Sequence, residues 1–257
     1  MTEHQHPQPD ADAMRRALRR AALITAGTGI GFGFFTIAAW FLAREASRAL
    51  EDGVDLREVQ ASEGFLGAEI ATLYLLPFAA ISFLWFIVAL RGWIRGTQHR
   101  RNLLISDVQL VSGTVFIAVF LVGAGALATS VIVAQSAPGA LEAETLRVLH
   151  GFGNTLVLVM GVRIAAIFVF ATASLGLTAG VLPRWFNYMS YAFGLMLMLT
   201  PIVDQMLIVA FPIWVVAVAI LLLVHLMNLD DDELPGFAAR YADVASVPGG
   251  GAVDGDA

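Results

Sequence analysis

Residues 160–185 read MGVRIAAIFVFATASLGLTAGVLPRW, an apolar run interrupted by one cation, Arg163, and closed by the turn Leu182-Pro183-Arg184-Trp185. A helix needs about 20 apolar residues to cross a hydrocarbon core of about 30 Å. This run meets that length, so it reads as a membrane-spanning helix that turns back at its proline. A cation inside such a segment is costly, and its partner becomes the first thing to seek.

The rest of the chain has the same character. Of its 257 residues, 58% are hydrophobic and only 14% are charged, against about 45–50% and about 25% in ordinary soluble domains. The apolar residues come in blocks of spanning length, with short polar segments between them. The expected fold is therefore all-α, a polytopic six-transmembrane-helix bundle with both termini cytoplasmic. The expected spans are about 21–43, 68–92, 107–134, 154–179, 186–203 and 209–228, flanked by a basic N-terminal tail (1–20) and a disordered acidic C-terminal tail (229–257).

Orientation follows from the arginines. Segments placed in the cytoplasm hold ten: Arg15, Arg16, Arg19, Arg20, Arg91, Arg95, Arg100, Arg101, Arg184 and Arg240. Segments placed outside hold four, Arg44, Arg48, Arg57 and Arg147. This asymmetry favours an even number of spans with both termini inside. Trp40, Trp93, Trp185 and Trp214 fall at span ends, where interfacial aromatics belong, while Trp85 sits deep. The expected location is the cytoplasmic (inner) membrane of a bacterium.

Composition narrows the chemistry. The chain lacks cysteine, which removes disulfides, thiolate metal sites, iron–sulfur clusters and thiol catalysis together. All 15 basic residues are arginine, so a Schiff-base lysine and a phosphate-loop lysine are also excluded. The net charge of -6 is dispersed and gives no reason to expect nucleic acid. No H-E-x-x-H, G-x-S-x-G or phosphate-cradling glycine loop occurs. His4 and His6 read as part of a solvated tail, His150 as the outer end of the fourth span, His225 as the inner end of the sixth and His99 as a cytoplasmic loop. His99 and His225 share a side, which leaves an inner haem site open beside the commoner reading as interface histidines. Met196, Met198 and Met206 read as packing. No catalytic residue, cofactor or metal site is expected, and the chain reads as a non-enzyme.

Two features remain. Gly27, Gly29, Gly31 and Gly33 form two overlapping G-x-x-x-G pairs in the first span. They let a neighbouring backbone approach closely, which is how helices associate in lipid. Gly123, Ala124, Gly125 and Ala128 supply a similar face in the third span, beyond Asp107 and Gln109, which read as caps and interface contacts. The second feature is Arg163. At mid-span an arginine costs about 2.5–3.5 kcal/mol on an insertion scale, and each large aliphatic or Phe returns about 0.3–0.6 kcal/mol. The fourth span is rich enough in such residues to insert without a partner.

Geometry nevertheless offers Arg163 a partner. It lies about 20 residues before the Leu182-Pro183 turn, and Asp204 lies about 21 after it, so at about 1.5 Å per residue the two reach similar depth. Helical side chains lean toward their N-terminus, which sends Arg163 outward toward Asp204 and Glu69. Two readings stand: a structural pair or headgroup contact, and an anion-binding or gating site in an outer cavity.

The second half also carries a resemblance. Arg163-Ile164-Ala165-Ala166-Ile167-Phe168, Gly180-Val181-Leu182-Pro183-Arg184-Trp185 and Phe211-Pro212-Ile213-Trp214-Val215 resemble a group of uncharacterised six-helix actinobacterial integral membrane proteins over about 150–225. The resemblance implies a six-helix membrane fold and brings no activity or cofactor with it. The function expected is a structural or accessory component of a membrane assembly. Its partners would be membrane lipids and other membrane proteins or a second copy of itself. The alternative is a small-solute or ion transporter with its site around Arg163 in the outer half.

Overall fold

A computed structural model describes residues 11–51, 63–97, 103–136, 143–199 and 206–227. All of them are helical except the turn at 180–183. In chain order the helices are α1 (Ala11–Glu51), α2 (Glu63–Ile70), α3 (Leu76–Thr97), α4 (Leu103–Ser136), α5 (Ala143–Asn154), α6 (Val162–Ala179), α7 (Arg184–Leu199) and α8 (Met206–Met227). Two π-helical turns interrupt the α geometry: π1 (Ala71–Leu75) joins α2 to α3, and π2 (Thr155–Gly161) joins α5 to α6.

Among the described residues, four helical stretches are long and apolar enough to cross a membrane: Ala22–Arg44, Phe65–Gly92, Leu104–Thr129 and Arg147–Ala179. A shorter apolar helix, Val209–His225, lies beside them. The described residues are thus all-helical, with several long apolar helices that fit a membrane protein. Several boundaries differ from those read in the sequence. Helix α1 begins at Ala11, inside the basic N-terminal segment, and runs on to Glu51, into the stretch expected to be an outer loop. Helix α5 continues through π2 into α6 without a break, so the amphipathic loop helix and the fourth span form one continuous rod.

Local sequence explains the first π turn. Pro77 has no N–H to give the carbonyl one turn back, and its ring crowds that carbonyl. A wider turn just before it relieves the conflict, and the Leu76 N–H bonds the carbonyl of Ala71 instead. No proline accounts for π2.

The hairpin between α6 and α7 is built as the sequence implied. Gly180 adopts φ 68°, the left-handed conformation that ends a helix and costs glycine nothing, and its N–H caps the Gly176 carbonyl at 3.0 Å. The fully buried Asn187 then donates from Nδ2 to the carbonyls of Leu182 (3.1 Å) and Pro183 (3.3 Å). A Cβ on Gly176 would come within 2.5 Å of the Asn187 Oδ1, so the turn closes only over glycine. Farther along the hairpin, the hydroxyls of Ser174 and Tyr191 meet at 2.6 Å.

Helix α1 packs on α3 and α8, α3 on α4, α4 on α5 and α6, and α6 on α7, while α6 also touches α3 and α8 across the middle. The glycine pattern of α1 divides by face. A Cβ on Gly33 would lie 2.3 Å from Val216 and one on Gly29 2.7 Å from Ala219, so this pair seats α8. Gly31 makes ordinary contact with Ser82, and Gly27 meets open space. Residues four apart share a helix face and those two apart do not, which separates Gly29 and Gly33 from Gly27.

At the centre stands an aromatic cluster with one phenylalanine from each of five helices: Phe32 (α1), Phe83 (α3), Phe116 (α4), Phe168 (α6) and Phe211 (α8). The Phe83 ring lies 4.6–5.6 Å from the other four. All five are buried. Trp214 joins from α8, 6.3 Å from Phe168, and donates its indole N–H to Ser190 on α7 at 2.9 Å. Trp214 is therefore a core residue rather than an interfacial anchor, while Trp85 is exposed on the outside of the bundle. Met196 and Met198 are exposed as well and do not pack in the interior.

Candidate functional site

Beyond the aromatic cluster the bundle opens into a cavity of about 80 Å³. Its walls are α1 (Thr36, Ala39, Trp40, Ala43, Arg44), π1 and the start of α3 (Ala71, Thr72, Leu76), α4 (Phe120, Leu127) and the α5–π2 junction (Asn154, Val157, Leu158). Phe120, stacked on Phe116 at 5.7 Å, ties this wall to the aromatic core. Both π turns of the described chain therefore border one cavity. A π turn adds a residue to a helix without breaking it and re-aims the side chains around it, which is why such turns recur at functional sites.

Threonines in these helices usually satisfy themselves. Thr28, Thr72, Thr114, Thr129, Thr155 and Thr178 all donate to the carbonyl four residues back at 2.8–3.1 Å. Thr36 does not. It is 3% exposed, and its Oγ1 has no hydrogen-bond partner among the described residues. One turn on, the indole Nε1 of Trp40 is also buried without a partner. A buried polar group left unmade costs about 1–3 kcal/mol; two such atoms lie at this wall, and Arg91 Nε, Ser106 Oγ, Gln109 Oε1, His150 Nε2 and Asn187 Oδ1 are further cases among the described residues. Arg44 follows on the same face, its guanidinium 5.9 Å from the Trp40 ring and 5.1 Å from the Phe41 ring.

The residues singled out in the sequence lie elsewhere. Arg163 is exposed, and its Nη1 reaches back one turn to the carbonyl of Val159 at 2.8 Å. That carbonyl belongs to π2, so the guanidinium covers the backbone of the widened turn. The lean toward the helix N-terminus is the expected one, but the side chain faces neither the core nor the cavity. Glu69 is half-buried on α2 and does not line the cavity. Asp204, the proposed partner of Arg163, lies outside the described residues, as do His4, His6 and His99.

A second polar group joins α3, α4 and α6 at the opposite end of the bundle. Arg91 and Asp107 form an ion pair. Gln109 is fully buried and donates from Nε2 to the Thr172 hydroxyl at 3.1 Å, while Ser112 donates to the Gln109 carbonyl at 3.1 Å. Gln109 is thus an interhelical latch inside the bundle rather than an interface contact.

Thr36 and Trp40 carried no sequence signal as a pair. A threonine and a tryptophan four residues apart in a span are ordinary, and only their missing bonds distinguish them. Among known proteins, no family model, no curated protein and no solved structure matches this chain.

Proposed function

We propose that this chain crosses the bacterial cytoplasmic membrane six times with both termini inside, and serves as a non-enzymatic structural or accessory component of a membrane assembly. The observation that carries the reading is the aromatic cluster. A transporter or channel needs a hydrated route past the bilayer midplane. Here the middle of the bundle is filled by Phe32, Phe83, Phe116, Phe168 and Phe211, each no more than 6% exposed. The outside suits lipid or a neighbouring membrane protein, with Phe34, Phe78, Trp85, Val122 and Leu199 among its exposed apolar side chains.

The six-crossing topology adds α7 and α8 to the four longer stretches. Helix α7 has 16 residues, a rise of about 24 Å at about 1.5 Å per residue, close to the hydrocarbon thickness of about 30 Å. Its hairpin with α6 carries it back alongside a helix that is long enough. The transporter reading centred on Arg163 has less support, because this arginine turns outward to a carbonyl of its own helix.

Affinity purification from native membranes in mild detergent tests the proposal. A reproducible protein partner or a homo-oligomer is expected, together with no solute flux above that of empty vesicles after reconstitution. A monomer with no partner, or a reproducible flux, would overturn it.

A further inference from the structure

The cavity beside the aromatic core has a chemistry that the structural role does not use. We propose that it is a binding site for an oxyanion, and that the oxyanion is the phosphate headgroup of an anionic membrane phospholipid. The indole N–H of Trp40 and the guanidinium of Arg44 can only donate hydrogen bonds, and the Thr36 hydroxyl can donate or accept. The Thr36 Oγ1 and the Trp40 Nε1 are buried without partners, and Arg44 stands at the same wall with its charge over two aromatic rings. Such a donor-rich set, carrying one positive charge, is completed by an acceptor that is negatively charged.

Depth and lining favour the lipid over a free metabolite. A space of about 80 Å³ admits a headgroup and not a whole phospholipid, whose chains would stay outside. Arg44 ends the apolar stretch Ala22–Arg44, so the site lies where hydrocarbon gives way to headgroups. Most of the cavity lining is apolar, supplied by Ala39, Ala71, Leu76, Phe120, Leu127 and Leu158. A phospholipid places its phosphate at this depth and its glycerol and upper chain against such a surface. The π turns give the cavity its form: π1 brings Ala71 and Thr72 to the wall, and π2 brings Val157 and Leu158.

The test uses the full-length protein, purified in detergent and stripped of lipid. Dioleoyl phosphatidylglycerol, dioleoyl phosphatidylcholine and inorganic phosphate are added separately. Binding is read by native mass spectrometry and by the shift in thermal unfolding. Saturable binding of the anionic lipid is expected, at least tenfold tighter than of the zwitterionic one. Arg44→Gln and Trp40→Phe should each weaken it about tenfold, the second keeping an aromatic ring under Arg44.

Thr36→Val is the variant that separates a ligand role from a structural one. It should unfold at the same temperature as the parent without lipid, or slightly higher, yet lose most of the lipid-induced shift. If inorganic phosphate binds with the same dependence on Arg44 and Trp40, the oxyanion site stands and its ligand is free phosphate. If neither binds, or if all three variants bind phosphatidylglycerol like the parent, the proposal is overturned.

Discussion

Two neighbouring regions of this bundle are built on opposite principles. In the aromatic core every large side chain is matched by another, and Phe83 and Phe211 each meet four rings from four other helices. At the cavity, a short distance along the same helices, two polar atoms are buried unmatched and two helices are widened into π turns. Lipid tails are as apolar as the core, so no hydrophobic force holds membrane helices together. Close packing and interhelical hydrogen bonds do that work. The core therefore carries the stability, and the cavity is one part of the fold where stability was forgone, as at the buried Gln109 Oε1 and Asn187 Oδ1.

The comparison breaks first at its strongest point. Phe83→Ala removes the ring shared by five helices and should cost about 3–5 kcal/mol, measured by unfolding in mixed micelles. A loss below about 1 kcal/mol would mean that the core is not the anchor. Next in size, Asn187→Leu strips the 180–183 turn of both side-chain bonds to its carbonyls. The Pro183 carbonyl keeps the backbone N–H groups of Phe186 and Asn187. At about 1–3 kcal/mol for the one buried carbonyl left unmade, that of Leu182, the hairpin should loosen, seen as faster proteolysis at the turn.

A similar cost, about 1–3 kcal/mol from overpacking, is expected for Gly33→Val, whose Cβ would press on Val216. Gly27→Ala, facing open space inside a helix, should be neutral or stabilise by up to about 1 kcal/mol, because alanine favours a helix interior over glycine. Equal effects at the two glycines would remove the division of faces on α1. As small an effect is expected of Thr36→Val, which should leave stability unchanged or raise it by up to about 1 kcal/mol, because it deletes an unmatched buried hydroxyl. A clear destabilisation would show that Thr36 has a structural partner, and the contrast between the regions would fail.

Much of the scaffold was legible in the residues. Apolar runs of spanning length gave the all-helical membrane class, and Leu182-Pro183 gave the α6–α7 hairpin, because a proline after glycine ends one helix and starts the next. Helix ends were less legible. The basic residues before Ala22 and the mixed charges after Arg44 read as tail and loop, yet α1 runs through both. Alanine, arginine and glutamate form helix in water as readily as leucine does in lipid, so hydropathy marks where the membrane begins and not where the helix does.

The site was hardest to see. Arg163 drew attention because a charge in an apolar run is conspicuous, but its bond to Val159 makes it a cover for a π turn. The central rings are invisible in sequence because one phenylalanine per span has no period of its own. Thr36 and Trp40 matter through bonds they lack, and a missing partner is a property of the packed bundle alone. Trp214 shows the same limit: its place near a span end suggested the interface, and its bond to Ser190 draws it into the core.

The central claim is that the bundle is closed by its aromatic core, and the absence of native cysteine makes it directly measurable. Single cysteines placed at Ala80 and Ala166, 3% and 0% exposed, are treated in sealed vesicles with a membrane-impermeant maleimide applied from both sides. The account predicts that both stay unlabelled while a cysteine at the exposed Arg48 reacts. Rapid labelling at Ala80 or Ala166 in folded protein would reveal water in the middle of the bundle and contradict it.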